Sequence, residues 1–196
     1  TPDAAMLDRW IAYGEFNNRR LEMLEIVALA GASHWDLGQE LQVTDNDRLE
    51  AATAFPDTHS QRVVIVHPGS SDVRRRWPVD RFAAVADALA DAGAVIAVNG
   101  TDEESDLVRG VIGHMRKPAI DLTGVMSLSG LCGLTERAAM VISNDSGPLH
   151  LALAIGTPCV GVYWLTNLLE ACPLRQHTHR AAMSVRVHCP VCGREN

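Results

Sequence analysis

Residues 61–98 read Q-R-V-V-I-V-H-P-G-S-S-D-V-R-R-R-W-P-V-D-R-F-A-A-V-A-D-A-L-A-D-A-G-A-V-I-A-V, and the order of elements in this stretch decides the fold. Arg62–His67 is a β-branched run, too short for a helix and apolar enough for a strand buried in a parallel sheet. Val79–Ala92 repeats apolar residues at Phe82, Val85, Ala86 and Leu89, the spacing of one helix face, with Pro78 leading in and Gly93 at the expected C-terminal position. Ala94–Val98 is a second strand. Strand, helix and strand in so short a length make a right-handed crossover between parallel neighbours.

The same cycle continues outward to the C-terminal side. Thr101 and Glu104 form a capping box opening a helix through Leu107, Val108, Val111 and Met115. Pro118–Asp121 reads as a short strand, Ser127–Ala138 as a helix and Met140–Ser143 as a strand. Gly147–Ile155 is a helix closed by Gly156, followed by a strand over Pro158–Trp164. Strands alternating with helices predict an α/β protein with a Rossmann-like, doubly wound parallel sheet.

Residues 1–60 lack this rhythm. Met6–Leu29 is helix-prone, with Met23, Leu24, Val27 and Ala28 at helical spacing and Gly31 at its end. Leu41–Thr44 suggests a short strand and Asp45 opens an acidic helix. The stretch reads as a connector, an appendage or the tail of another domain, with the regular domain occupying 61–196.

Composition narrows the function. The chain has 196 residues, 47% of them hydrophobic and 21% charged, which excludes disorder and collagen-like repeats. The net charge of −7 argues against a general nucleic-acid binder, because phosphate contacts need a basic face. No apolar run is long enough for a bilayer span, and the first residues show no signal-peptide pattern. Five cysteines, an odd number, read as reduced thiols of a cytoplasmic protein. Cys189 and Cys192 have the C-x-x-C spacing of half a zinc site, with Cys172, His177 and His179 upstream. The short separation favours a reduced loop, and the chain is expected to hold no metal.

In doubly wound sheets ligands bind beyond the C-terminal strand ends, and three loops there are unusually polar. The first, His67 to Pro78, offers close backbone approach at Gly69, hydroxyls and amides at Ser70 and Ser71, and three arginines, all suited to phosphate oxygens. Alone it could equally be a solvated loop. It has no Walker lysine and no G-x-G-x-x-G, so neither a P-loop enzyme nor a dinucleotide dehydrogenase is supported. The second, Ser143-Asn144-Asp145-Ser146-Gly147-Pro148-Leu149-His150, is a strand-to-helix turn. Ser146 stands at the cap, exposed N–H groups favour an anion, and His150 lies on the face that Ala154 continues inward. The third, Val98 to Glu103, places Asp102 where a carboxylate suits a ribose diol, or where it merely complements a helix dipole.

These segments resemble the heptosyltransferase-type glycosyltransferases of family 9, inverting enzymes of the GT-B fold. S-N-D-S-G-P-L-H-L-A-L-A-I-G-T-P-C-V-G-V-Y looks like the family's D-[ST]-G-x-x-H-x-A-x-A-x-G-x-P signature. H-P-G-S-S-D-V-R-R-R-W-P-V-D-R-F-A is similar to its phosphate loop, and M-S-L-S-G-L is a third match in the right order. The resemblance runs from about Gln61 to the C-terminus. It implies that the chain is the C-terminal, donor-binding domain of a GT-B enzyme, binding an ADP-heptose-like nucleotide sugar for transfer to a lipopolysaccharide core acceptor.

By that resemblance Ser70 and Ser71 meet the diphosphate, and Arg75 takes the place of a basic residue that is usually lysine. Asp102 holds the ribose, Met126 lies near the adenine and Asp145 binds donor-sugar hydroxyls. Ser146 and Gly147 hold phosphates with His150 in support. No metal or cofactor is implied. Trp164 departs from the family's usual glycine. The family's acceptor domain and catalytic base precede this domain, so residues 1–60 would be its tail or the connector, and the chain alone an inactive half. A cytoplasmic enzyme at the inner face of the membrane, with at most peripheral contact, is implied. The alternatives are another GT-B enzyme, such as a UDP-sugar transferase or epimerase, and a non-catalytic nucleotide-binding module. Relatives of the epimerase kind tend to carry D-S-G-G and an acidic pair, which Pro148 and His150 do not match.

Overall fold

Six strands form one sheet in the computed structural model, which describes residues 9–11, 14, 17–34, 41–56, 62–173, 177–183, 188 and 192–193. They are β1 (Arg62–His67), β2 (Ala94–Val98), β3 (Ile120–Asp121), β4 (Met140–Asn144), β5 (Cys159–Tyr163) and β6 (His179–Met183). Every neighbouring pair is parallel, in the order β3-β2-β1-β4-β5-β6. The helices are α1 (Arg19–Leu29), α2 (Asp45–Ala54), α3 (Val79–Asp91), α4 (Ser105–His114), α5 (Leu128–Arg137), α6 (Gly147–Ile155) and α7 (Leu165–Ala171).

The central strand β1 is buried from Val63 to His67, which is why it reads as a continuous apolar run. Its side chains alternate between two cores. Val63 and Ile65 join Leu134, Val141, Leu149 and Tyr163 on one face, while Val64 and Val66 join Phe82, Ala86, Val108 and Val111 on the other. The Thr101–Glu104 capping box is present, opening a 3-10 turn at Asp102–Glu104 that leads into α4. Gly156 ends α6 at φ 91°, a left-handed cap that a side chain would strain.

The N-terminal stretch is partly built into this body. Thr44 and Asp47 form a capping box for α2, which lies against α5, and Arg48 pairs with Glu136 at 2.7 and 2.8 Å. Gly133 permits the close approach, since a Cβ there would land on the Asp47 carbonyl. The expected strand at Leu41–Thr44 is absent. These residues lie over the helical layer instead, where Leu41 N–H donates to the Ala154 carbonyl and Val43 packs with Cys132 and Ile155.

The helix expected from Met6 begins only at Arg19. Asn18 caps it by accepting from the Arg20 N–H at 3.1 Å, and residues 9–11, 14 and 17 are not helical. The remainder of residues 1–16 lies outside the described residues. Pro118–Asp121 shortens to Ile120–Asp121. Helix α7 and strand β6 escaped the sequence pattern altogether. Among the described residues no helix is long and apolar enough to cross a membrane.

Candidate functional site

The sheet order reverses direction between β1 and β4, where His67 and Ser143 are register partners. At such a switch point the following connections run to opposite faces and leave a crevice beyond the strand ends. A cleft of about 1120 Å³ opens there. Ser70, Ser71, Arg75, Asp102, Met126, Asp145, Ser146, Gly147 and His150, all nine nominated from sequence, line it together.

The loop after β1 is held in shape by its own neighbours. Arg76 Nε donates to the Ser70 carbonyl at 2.8 Å. Arg74 forks onto Asp72, with Nη2 at 2.7 Å, and its guanidinium stacks over Trp164 at 5.7 Å. That pairing draws the Asp72 carboxyl down to about 2. Of the three consecutive arginines, Arg75 alone lines the cleft, its Nη1 3.9 Å from Asp145 Oδ2. Asn144, wholly buried, joins this loop to β4: its Nδ2 donates to the Pro68 carbonyl at 2.7 Å and its Oδ1 accepts from Trp77 N–H at 3.0 Å.

The turn after β4 carries the acid. Asp145 is 5% exposed, accepting from His150 Nε2 at 2.9 Å and from Asn167 Nδ2 at 2.6 Å. His150 therefore points out of the helix, half exposed, and not inward as expected from Ala154, because Asp145 draws its ring over the turn. Ser146 sits at the cap position of α6, but its hydroxyl bonds to Ser143 Oγ and the Asn144 carbonyl and does not cap. A helix without a side-chain cap keeps first-turn N–H groups for an anion.

On the third wall, His67 is buried beneath the cleft floor and donates from Nδ1 to the Asn99 carbonyl at 3.0 Å. That leaves Nε2 facing Glu104 Oε2 at 3.9 Å. Burial pushes the His67 imidazole below its ordinary value, against the opposing pull of Glu104. A Cβ at Gly69 would displace the Glu104 carboxylate from its place beside the loop, and at Gly124, whose φ of 62° already favours glycine, it would meet Asp102. Asp102 is exposed at the rim, and Met126 is half-buried against the core.

Sequence reasoning missed His67, Asn99, Glu104, Asn144 and Asn167. The first two end β1 and follow β2, so their position at strand ends was a usable signal; Asn167 had none, because α7 went unseen. Of the thiols, Cys132 and Cys159 are buried, Cys172 lines the cleft and Cys192 is exposed, all unbridged. Cys189 lies outside the described residues. His179 is engaged elsewhere, with Nε2 3.2 Å from the Tyr163 hydroxyl.

A doubly wound parallel sheet with an anion-suited cleft at its switch point is the architecture of nucleotide-binding α/β domains. The pattern of glycosyltransferase family 9 (heptosyltransferase) matches residues 20–190, and the chain belongs to that family. It is 26% identical over 136 residues to the lipopolysaccharide core heptosyltransferase OpsX of Haemophilus influenzae, covering 68% of this chain and 39% of that protein. Its fold matches the crystal structure of the family 9 glycosyl transferase from Veillonella parvula at a TM-score of 0.77 and 23% identity, over 89% of this chain and 51% of that one. The Escherichia coli heptosyltransferase WaaC, solved with ADP, shares the fold at a TM-score of 0.62 and 17% identity, over 92% of this chain and 55% of that one. The chain thus spans about half the length, or less, of these relatives. The expected α/β, GT-B-type domain is the fold observed.

Proposed function

We propose that this chain is the donor-binding half of a glycosyltransferase, taking an ADP-heptose-like nucleotide sugar for inverting transfer to a lipopolysaccharide core acceptor at the inner face of the cytoplasmic membrane. The observation that carries the reading is the convergence of the nine residues on one cleft at the β1–β4 switch point. Ser70, Ser71 and the uncapped start of α6 at Ser146 and Gly147 receive the diphosphate, with Arg75 as its cation. Asp102 takes the ribose, Met126 the adenine and Asp145 the sugar hydroxyls, with His150 fixing Asp145.

In the transfer an acceptor hydroxyl oxygen bonds the anomeric carbon as the bond to the diphosphate oxygen breaks. Arg75 and the α6 N-terminus stabilise the charge that develops on the departing diphosphate. The base that takes the acceptor proton belongs, in this proposal, to the remaining length over which the relatives extend, to which residues 1–60 connect. Calorimetry of the 196-residue chain with ADP, UDP and GDP tests the reading. Binding of ADP is expected, and no binding of any diphosphate at millimolar concentration would overturn it. Sugar transfer by this chain alone would overturn the assignment of the base elsewhere.

A further inference from the structure

We infer that Asn167 is a positioning residue for the sugar end of the cleft: its side-chain amide aims the Asp145 carboxylate. The inference rests on the proposed donor site and deepens it. Asn167 is 4% exposed, comes from α7 beyond the neighbouring strand, and places Nδ2 2.6 Å from Asp145 Oδ2. A carboxylate only accepts, so the amide's NH2 must face it. Asp145 Oδ1 is meanwhile held by His150 at 2.9 Å. With each oxygen tied to one donor, the carboxylate plane cannot turn, and its remaining lone pairs point in set directions for hydroxyl donors.

The groups around this pair come from four elements. Arg75 reaches Asp145 from the phosphate loop and His150 from α6. Tyr163 on β5 and Cys172 after α7 also feel the Asp145 charge, and burial pushes both upward, so both stay neutral beside it. An amide at position 167 adds a donor without adding a second negative charge. A carboxylic acid there would donate only while protonated.

That difference supplies a test that loss of packing does not mimic. The quantity to measure is the ratio of ADP-heptose affinity to ADP affinity for the full chain and for two variants, between about pH 5 and 8. In Asn167→Leu the ratio is expected to fall about tenfold, the loss of one charge-assisted bond's orientation. In the isosteric Asn167→Asp two carboxyl groups share one site, and their mutual repulsion lets one of them keep its proton above the ordinary carboxylate range. Its ratio should match the parent at the acid end, where the introduced carboxyl is protonated and donates as the amide does. Taken relative to the parent at the same pH, which cancels the ionisation of ADP itself, it should fall as pH rises. Ratios within about twofold of the parent in both variants across the range would overturn the role of Asn167. A parent chain that binds no ADP would instead overturn the donor-site reading, and this inference with it.

Discussion

Arg75 and Asp145 face each other across the cleft, Nη1 and Oδ2 3.9 Å apart, one from the loop after β1 and the other from the turn after β4. The separation is too long for a hydrogen bond and short enough for mutual attraction. A cation and an acid so placed divide a nucleotide sugar between them, the diphosphate to one and the hydroxyls to the other.

Arg75→Ala is therefore expected to weaken ADP binding, and Asp145→Ala to weaken the sugar's added contribution more than ADP itself. Each lost charge-assisted bond is worth about 1.5–3 kcal/mol, or roughly 10- to 150-fold in affinity. Titrations with ADP and ADP-heptose check both. Parent-like binding by both variants would remove these residues from the donor site.

Asn144→Ala deletes a donor and an acceptor at once, leaving the Pro68 carbonyl and the Trp77 N–H without their partner. Unpaired buried groups cost about 1–3 kcal/mol each. Urea unfolding should show a loss of about 2–4 kcal/mol, and the phosphate loop should become more open to proteolysis. Stability within about 0.5 kcal/mol of the parent, the range of an ordinary surface change, would contradict the bridging role.

Gly133→Ala tests the seating of α2. The new Cβ meets the Asp47 carbonyl, a backbone atom that moves only if α2 moves. Overpacking of this kind costs about 1–3 kcal/mol. Ala at Gly113, where a Cβ meets open space, is the matched control on α4 and should be neutral or slightly stabilising. Equal stability of the two variants would mean that α2 is not held against α5.

The pH dependence of stability carries the sign of His67. Its imidazole binds a proton less readily when folded than at the ordinary value of 6.5, and burial lowers His179 in the same way. As pH falls through 6.5 the unfolded chain takes up protons that the folded chain refuses, so stability drops on the acid side. Tm should decline between about pH 7 and 5, and less steeply in His67→Gln. Asp72, drawn down to about 2 from 3.8 by Arg74, loses its contribution only in the lower window between those values. A flat Tm between about pH 7 and 5 would show that neither imidazole is held neutral.

The alternation of strand and helix from Arg62 to Tyr163 is written in the chain itself, because parallel strands buried on both faces must be apolar runs and amphipathic helices must repeat near every third or fourth residue. The three polar loops are equally legible there, since loop chemistry after a strand is local. How those loops meet is settled in three dimensions. The strand order places β1 beside β4, and that adjacency, not any local pattern, brings Arg75 to Asp145. The division of labour among Arg74, Arg75 and Arg76 was likewise undecidable from three identical side chains, because it depends on where Asp72, Trp164 and the Ser70 carbonyl lie in space. His150 turned outward for the same reason: helical spacing sets the direction of its Cα–Cβ bond, but a carboxylate on the preceding turn sets where the ring goes. Asn167 was invisible in a short helix with weak periodicity, and its role follows from a 2.6 Å contact that joins α7 to the turn after β4.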